Sequence, residues 1–234
     1  MLQNFRERVD EVEVYLSFVS EIDAIETYKQ QRFILDADKQ LTIKRDLQKV
    51  LRANCFLVLY NLVEATVRDS LWSLFDIVSD EQLTYKDLSD NLKEIWLKQQ
   101  STEMSLLTNQ VKIKERIGQL ITLQNDATIT FSKNRISLSG NLDYRFIEKL
   151  IAEYGFHGSV NVDKKRVAKA LLKVKSERNY LAHGNKSFRQ VAEVVTIQEI
   201  TNCKILIVEY LTDYVNNVLK YFEDEKYKLS QSIT

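Results

Sequence analysis

The run KKRVAKALLKVKSERNYLAHG, residues Lys164 to Gly184, decides how this chain is read. Val167, Leu171, Val174, Arg178 and Leu181 follow one another at spacings of four, three, four and three, which is one apolar face of an α-helix. Arg178 occupies a slot on that face where a hydrophobe is expected. Asn179 and His183 are four apart and point the same way from the adjacent face. The long arginine stem lets Arg178 reach them. A guanidinium, a carboxamide and an imidazole then meet at a helix end, a donor set suited to an anion and above all to phosphate. The same residues also serve helix geometry. Glycine after His183 suits a left-handed C-terminal cap, and the helix dipole favours a histidine in the last turn.

Outward from this run, the composition is that of long helices. The chain has 234 residues with no proline and only five glycines. Proline breaks helices and populates turns, so its absence favours few loops. The length suits one domain over 1–234 with ample core. Lys plus Arg and Asp plus Glu are both 33, so the global charge points to no polyanion. Locally, Lys164, Lys165, Arg166, Lys169, Lys173, Lys175, Arg178, Lys186 and Arg189 face one acid, Glu177, in the same segment. That excess would attract a polyanion, and it is also compatible with a solvated helix face.

The periodicity predicts helices over about 2–32, 41–79, 84–99, 102–123, 143–153, 164–183 and 196–227. Asp36 to Asp38 reads as a short break. Thr128 to Ser139 alternates with period two around Lys133-Asn134, which predicts a small β-hairpin insertion within 127–140. On the second helix, Asn54 and Asn61 fall on an otherwise apolar seam, where buried amides need partners. Asn61 and Glu64 are candidates to line a pocket facing Arg178; register setting and surface pairing are the commoner uses of such residues. His157, between Gly155 and Gly158 and lacking a partner at helical spacing, reads as a loop histidine.

Several classes are disfavoured. Cys55 and Cys203 sit in apolar patterns and read as buried, and two Cys with two His at no ligand spacing make no zinc motif. A Gly-rich phosphate loop, a nucleophile elbow and a two-metal carboxylate cluster are all missing. Neither a metal nor another cofactor is expected. Residues 1–8 mix apolar and charged side chains, unlike a secretory signal, and no run of 18 apolar residues occurs, so the expectation is a cytoplasmic protein that does not span a membrane.

Arg178-Asn179-x3-His183, late in a proline-free helical chain, resembles the Arg-x(4–6)-His signature of the HEPN superfamily (higher eukaryotes and prokaryotes nucleotide-binding). The words Leu59 to Arg68, Ser139 to Asp143 and Arg178 to Phe188 resemble its MAE-type HEPN-like nuclease subfamily. The resemblance implies an all-α, up-and-down HEPN-like bundle. It further implies an endoribonuclease that leaves a 2′,3′-cyclic phosphate, with two motifs facing each other in a homodimer, often in toxin–antitoxin or anti-phage defence. Arg178, Asn179 and His183 are then the catalytic candidates, and Lys175, Lys186, Arg189, Asn61 and Glu64 the candidates for RNA contact. A non-catalytic module binding a nucleotide, RNA or protein is the alternative. HEPN toxins silenced by nucleotidylation carry a tyrosine two residues after the histidine. Here that position is Asn185, so an antitoxin or defence partner is expected to act by binding.

Overall fold

The computed structural model describes residues 1–25, 32–36, 39–123, 127–136, 138 and 142–230, with the backbone alone for 32–36, 39–42, 122 and 123. Among the described residues the chain is all-α apart from one short hairpin. Its helices are α1 (Leu2–Asp23), α2 (Arg45–Asp80), α3 (Asp90–Ser105), α4 (Gln110–Leu123), α5 (Tyr144–Tyr154), α6 (Lys164–Ala182), α7 (Phe188–Glu193) and α8 (Ile197–Glu223). The chain divides into two compact units. One comprises Met1–Thr66, Ser139–Arg145 and Asn161–Thr212; the other comprises Val67–Leu138, Phe146–Val160 and Asp213–Thr234.

In the first unit the α1 stripe buries Phe5, Val12, Leu16 and Val19, at the spacing the sequence predicts. Each such side chain contributes roughly 1.5–3 kcal/mol on burial. Arg52 of α2 ties this unit together. It pairs with Asp23 at 3.0 Å and donates to the Val195 carbonyl at 3.0 Å. Gln48 donates to the carbonyls of Ile22 and Ile25, satisfying the end of α1. Asn54, the seam amide, donates to the Tyr15 hydroxyl at 2.9 Å.

In the second unit Phe75 stacks on Phe131 with ring centroids 4.6 Å apart. Phe156 meets Tyr154, Tyr214, Tyr221 and Phe222 edge-on or stacked, the offset geometries aromatic pairs prefer. Gly158 lets its backbone approach Asn217, whose amide donates to the Ser159 carbonyl at 3.0 Å. A Cβ at Gly158 would come within 1.9 Å of Asn217.

Three expectations from the sequence are corrected. Among the described residues no hairpin forms around Lys133-Asn134: Lys133–Arg135 is a 3₁₀ turn, and Thr128 makes a single bridge with Thr84. Period-two alternation there reflects Ile129, Phe131 and Leu138 each turned into the core of an irregular segment, not paired strands. The hairpin lies instead at Arg32–Asp36 and Lys39–Thr42, antiparallel, with a register shift between Ile34 and Asp36. The first helix therefore stops at Asp23 rather than continuing to about 32. Residues 26–31 and 37–38, where the rest of that helix and the break were expected, lie outside the described residues, as do Ser137 and Ser139 to Asn141. The apolar seam expected on α2 from the helical spacing of Leu47, Val50, Leu51, Leu57, Val58, Leu62, Ala65 and Trp72 holds only in part. Leu62 and Ala65 are buried, but Leu47, Val50 and Trp72 are substantially exposed, and Ala53, Phe56, Leu59, Tyr60, Val63, Val67 and Leu71, off that seam, are buried. A helix enclosed on most sides shows no single stripe. For the same reason α2 holds an 18-residue window of mean hydropathy 1.3, long and apolar enough by composition to cross a membrane, and 56% of that window is buried within the chain. On α8 the residues that recur at helical spacing in the sequence are buried in full: Ile200, Cys203, Ile207, Tyr210, Leu211, Tyr214, Val218 and Tyr221.

Candidate functional site

The first unit carries the site, built on α6. Asp163 starts the helix by accepting from the backbone N–H groups of Lys165 and Arg166 at 2.9 and 3.2 Å, a normal N-cap. Val167, Ala170, Leu171 and Val174 are buried, and Arg178 continues that face, as its slot in the stripe predicts. The helix stops in a Schellman motif. Gly184 takes φ +69°, its N–H bonds to the Leu181 carbonyl at 3.2 Å, and the Asn185 N–H bonds to the Tyr180 carbonyl at 2.9 Å. This termination leaves His183 as the C-cap residue with an exposed side chain. The 3.6-residue repeat sets Asn179 and His183 about 40° apart around α6.

A guanidinium at the core margin needs partners, and α2 supplies them. The Arg178 guanidinium lies over the ring of buried Tyr60, 4.3 Å from its centroid. Its Nη1 donates to Asn179 Oδ1 at 2.9 Å, and Nη2 stands 3.9 Å from Glu64 Oε2, a long ion pair. Tyr60 and Glu64 are four apart on α2 and so share its face. The Tyr60 hydroxyl accepts from the Leu142 N–H at 3.3 Å. Next along, Asp143 pairs with Lys175 in a half-buried contact. Arg178 is thus clamped by an aromatic face and by an amide at its edge.

The remaining candidates divide. Glu64 joins the site; Asn61, one residue on from Tyr60 and turned about 100° from it, does not. It lines a small cavity with Arg8, Glu11 and Val58. The three candidate cations are each held by a carboxylate: Lys175 by Asp143, Lys186 by Glu177 at 3.4 Å, and Arg189 by Asp46 at 2.8 Å. Lys186 also covers the Tyr180 ring at 4.0 Å. His157 is exposed in the loop after α5, within the second unit. Cys55 and Cys203 are buried thiols, and burial raises both, Cys55 to about 12. Among the described residues no group of three or more His, Cys, Asp or Glu side chains is placed to hold a metal ion.

The sequence reading missed Tyr60 as a functional residue. Its signal was available: Tyr60 and Glu64 fall within Leu59–Arg68, Leu142 and Asp143 end the second resembling word, and Arg178 opens the third. The fold brings all three words to one place.

A family model described as HEPN_MAE_28990-like HEPN matches residues 1–227. The chain belongs to this HEPN family. No curated protein and no solved structure matches it. The match spans both compact units of the HEPN chain, and family membership supports a nuclease or an RNA-binding module.

Proposed function

We propose that this HEPN chain is a metal-independent endoribonuclease that acts as a homodimer, in the manner of a toxin or an anti-phage effector. The observation that carries the reading is the Arg178 clamp: a guanidinium stacked on Tyr60 and bonded to Asn179, beside a solvent-facing His183. An imidazole titrates near pH 6.5 when unperturbed, the range useful for proton transfer. In the proposed reaction one His183 takes the proton from the 2′-hydroxyl. The O2′–P bond forms, the P–O5′ bond breaks, and the leaving 5′-oxygen receives a proton. The products are a 2′,3′-cyclic phosphate and a free 5′-hydroxyl. Arg178 and Asn179 hold the phosphate and its transition-state charge.

One histidine cannot serve as base and acid in the same turnover. A two-fold axis would bring a second His183 to the same phosphate. The partner, the cytoplasmic setting and neutralisation by a binding antitoxin belong to this proposal.

The test is cleavage of total RNA with EDTA present, comparing wild type with His183→Ala at matched folded concentration. Cleavage by wild type alone, with cyclic phosphate ends, is the expected result. Equal cleavage by the variant refutes the mechanism. No cleavage by wild type, with RNA binding lost in Arg178→Ala, favours the non-catalytic binding module.

A further inference from the structure

The ion pairs around α6 leave a different pair of cations to bind substrate from those its sequence suggests. A groove of about 250 Å³ lies between α6 and the start of α5, lined by Asp143, Tyr144, Arg145, Ala168, Lys169 and Leu172. Its floor is apolar: Leu172 is 52% exposed, and Tyr144 leans on Tyr210 with centroids 5.5 Å apart. Its rim is basic. Arg145 and Lys169 are exposed, and no carboxylate among the described residues pairs with either. The one acid in the wall, Asp143, is bound to Lys175.

The position of the groove matters as much as its lining. Ala168, Leu172, Ser176, Asn179 and His183 fall within about 80° of arc on α6. The groove, Asn179 and His183 therefore share one side of one helix, and Arg178, about 80° outside that arc, meets Asn179 through its side chain. Leu172 lies roughly 16 Å along the axis from His183, at 1.5 Å per residue. That is too far for the nucleotides flanking the scissile bond and within reach of a strand running along α6.

We infer that this groove is a second RNA subsite, which takes one unpaired nucleotide of the substrate strand several positions from the cut. The base lies on Tyr144 and Leu172, and its phosphates meet Arg145 and Lys169. An aromatic floor with a cationic rim is the usual means of holding single-stranded nucleic acid without reading its sequence. A duplex cannot place a base in such a groove. The inference rests on the reading of α6 as an RNA-facing helix, and it separates from the catalytic proposal because binding alone tests it.

The experiment uses the full chain as His183→Ala, so that RNA is not consumed. Affinity is measured by fluorescence anisotropy for a labelled oligouridylate of roughly twelve nucleotides and for a dinucleotide. Arg145→Glu with Lys169→Glu should weaken the long strand roughly tenfold or more and reduce its salt dependence by about 0.7 per cation removed. The dinucleotide, too short to reach the groove, should bind equally to both proteins. Leu172→Glu, at an exposed position, should weaken the long strand in the same direction. 4-Thiouridine in that strand should cross-link to Tyr144.

Unchanged affinity in the folded variants, cross-links confined to other segments, or an equal loss for the dinucleotide overturns the subsite. Equal displacement of the RNA by polyglutamate overturns its assignment to nucleic acid. Cleavage by wild type with affinity unchanged in the groove variants refutes the subsite alone. Groove-dependent binding without cleavage refutes the catalytic proposal alone.

Discussion

Replacing Gly184 by alanine isolates the backbone term that ends α6 and places His183. Gly184 has φ +69°, and a Cβ built there meets nothing within 4 Å. Any loss in Gly184→Ala is therefore conformational and owes nothing to crowding. An L-residue in the left-handed region costs about 1–2 kcal/mol. For a chain of this size each kcal/mol moves Tm by roughly 2–4 °C, so the expected fall is about 2–8 °C. The chain could escape the strain by fraying its last turn. That gives up the Asn185 N–H to Tyr180 carbonyl bond at 2.9 Å, and amide exchange at Asn185 would then accelerate. Gly184→Asn is the control, because asparagine tolerates this region far better, and it should lose less than half as much. Differential scanning calorimetry with hydrogen exchange read by NMR measures both. A Gly184→Ala protein as stable as wild type, with unchanged protection at Asn185, would refute the claim that glycine is needed at this cap. Because His183 immediately precedes the glycine, RNA cleavage should fall in Gly184→Ala and recover in Gly184→Asn.

Three further outcomes are expected. Tyr60→Leu removes the ring beneath Arg178 and the acceptor for the Leu142 N–H; losing a cation–π contact worth about 1–2 kcal/mol should lower RNA cleavage roughly 5- to 30-fold while His183 stays in place. A folded Tyr60→Leu protein cleaving at the wild-type rate would show that the clamp is not needed. Asp163→Ala should cost about 1 kcal/mol by uncapping α6, read as a lower Tm, with Asp163→Ser retaining most of the stability. The buried Cys55 thiol titrates at about 12 instead of 9.0. Its contribution is thus complete below about pH 9 and is lost as pH rises towards 12. Tm should fall between about pH 9 and 11, and the fall should shrink in Cys55→Ala. Parallel curves for the two proteins would exclude this thiol as a source.

The sequence by itself determined where α6 begins and ends, which face of it is buried, and that Arg178 interrupts that face. These are properties of residue spacing and cap chemistry within one helix, and local periodicity carries them. It also determined the inward side of α8, because a helix with one buried side writes that side as a stripe. The family resemblance was legible in the same way, from the words around Tyr60, Leu142 and Arg178.

Only the tertiary structure decided which charges cancel. Lys175, Lys186 and Arg189 look like RNA contacts along the chain, but Asp143, Glu177 and Asp46 hold them. Two of those carboxylates, Asp143 and Asp46, come from elsewhere in the sequence, and spacing encodes no such pairing. Choosing between Asn61 and Glu64 likewise required the packed position of α2, since a rotation of only about 60° separates Glu64, facing Arg178, from Asn61, facing α1. The hairpin was misplaced for a related reason. Alternating burial at Ile129 and Phe131 writes the same pattern whether the backbone pairs with a strand or only passes over a core. Periodicity records which side chains are buried; the partner that buries them is set by contacts distant in the chain.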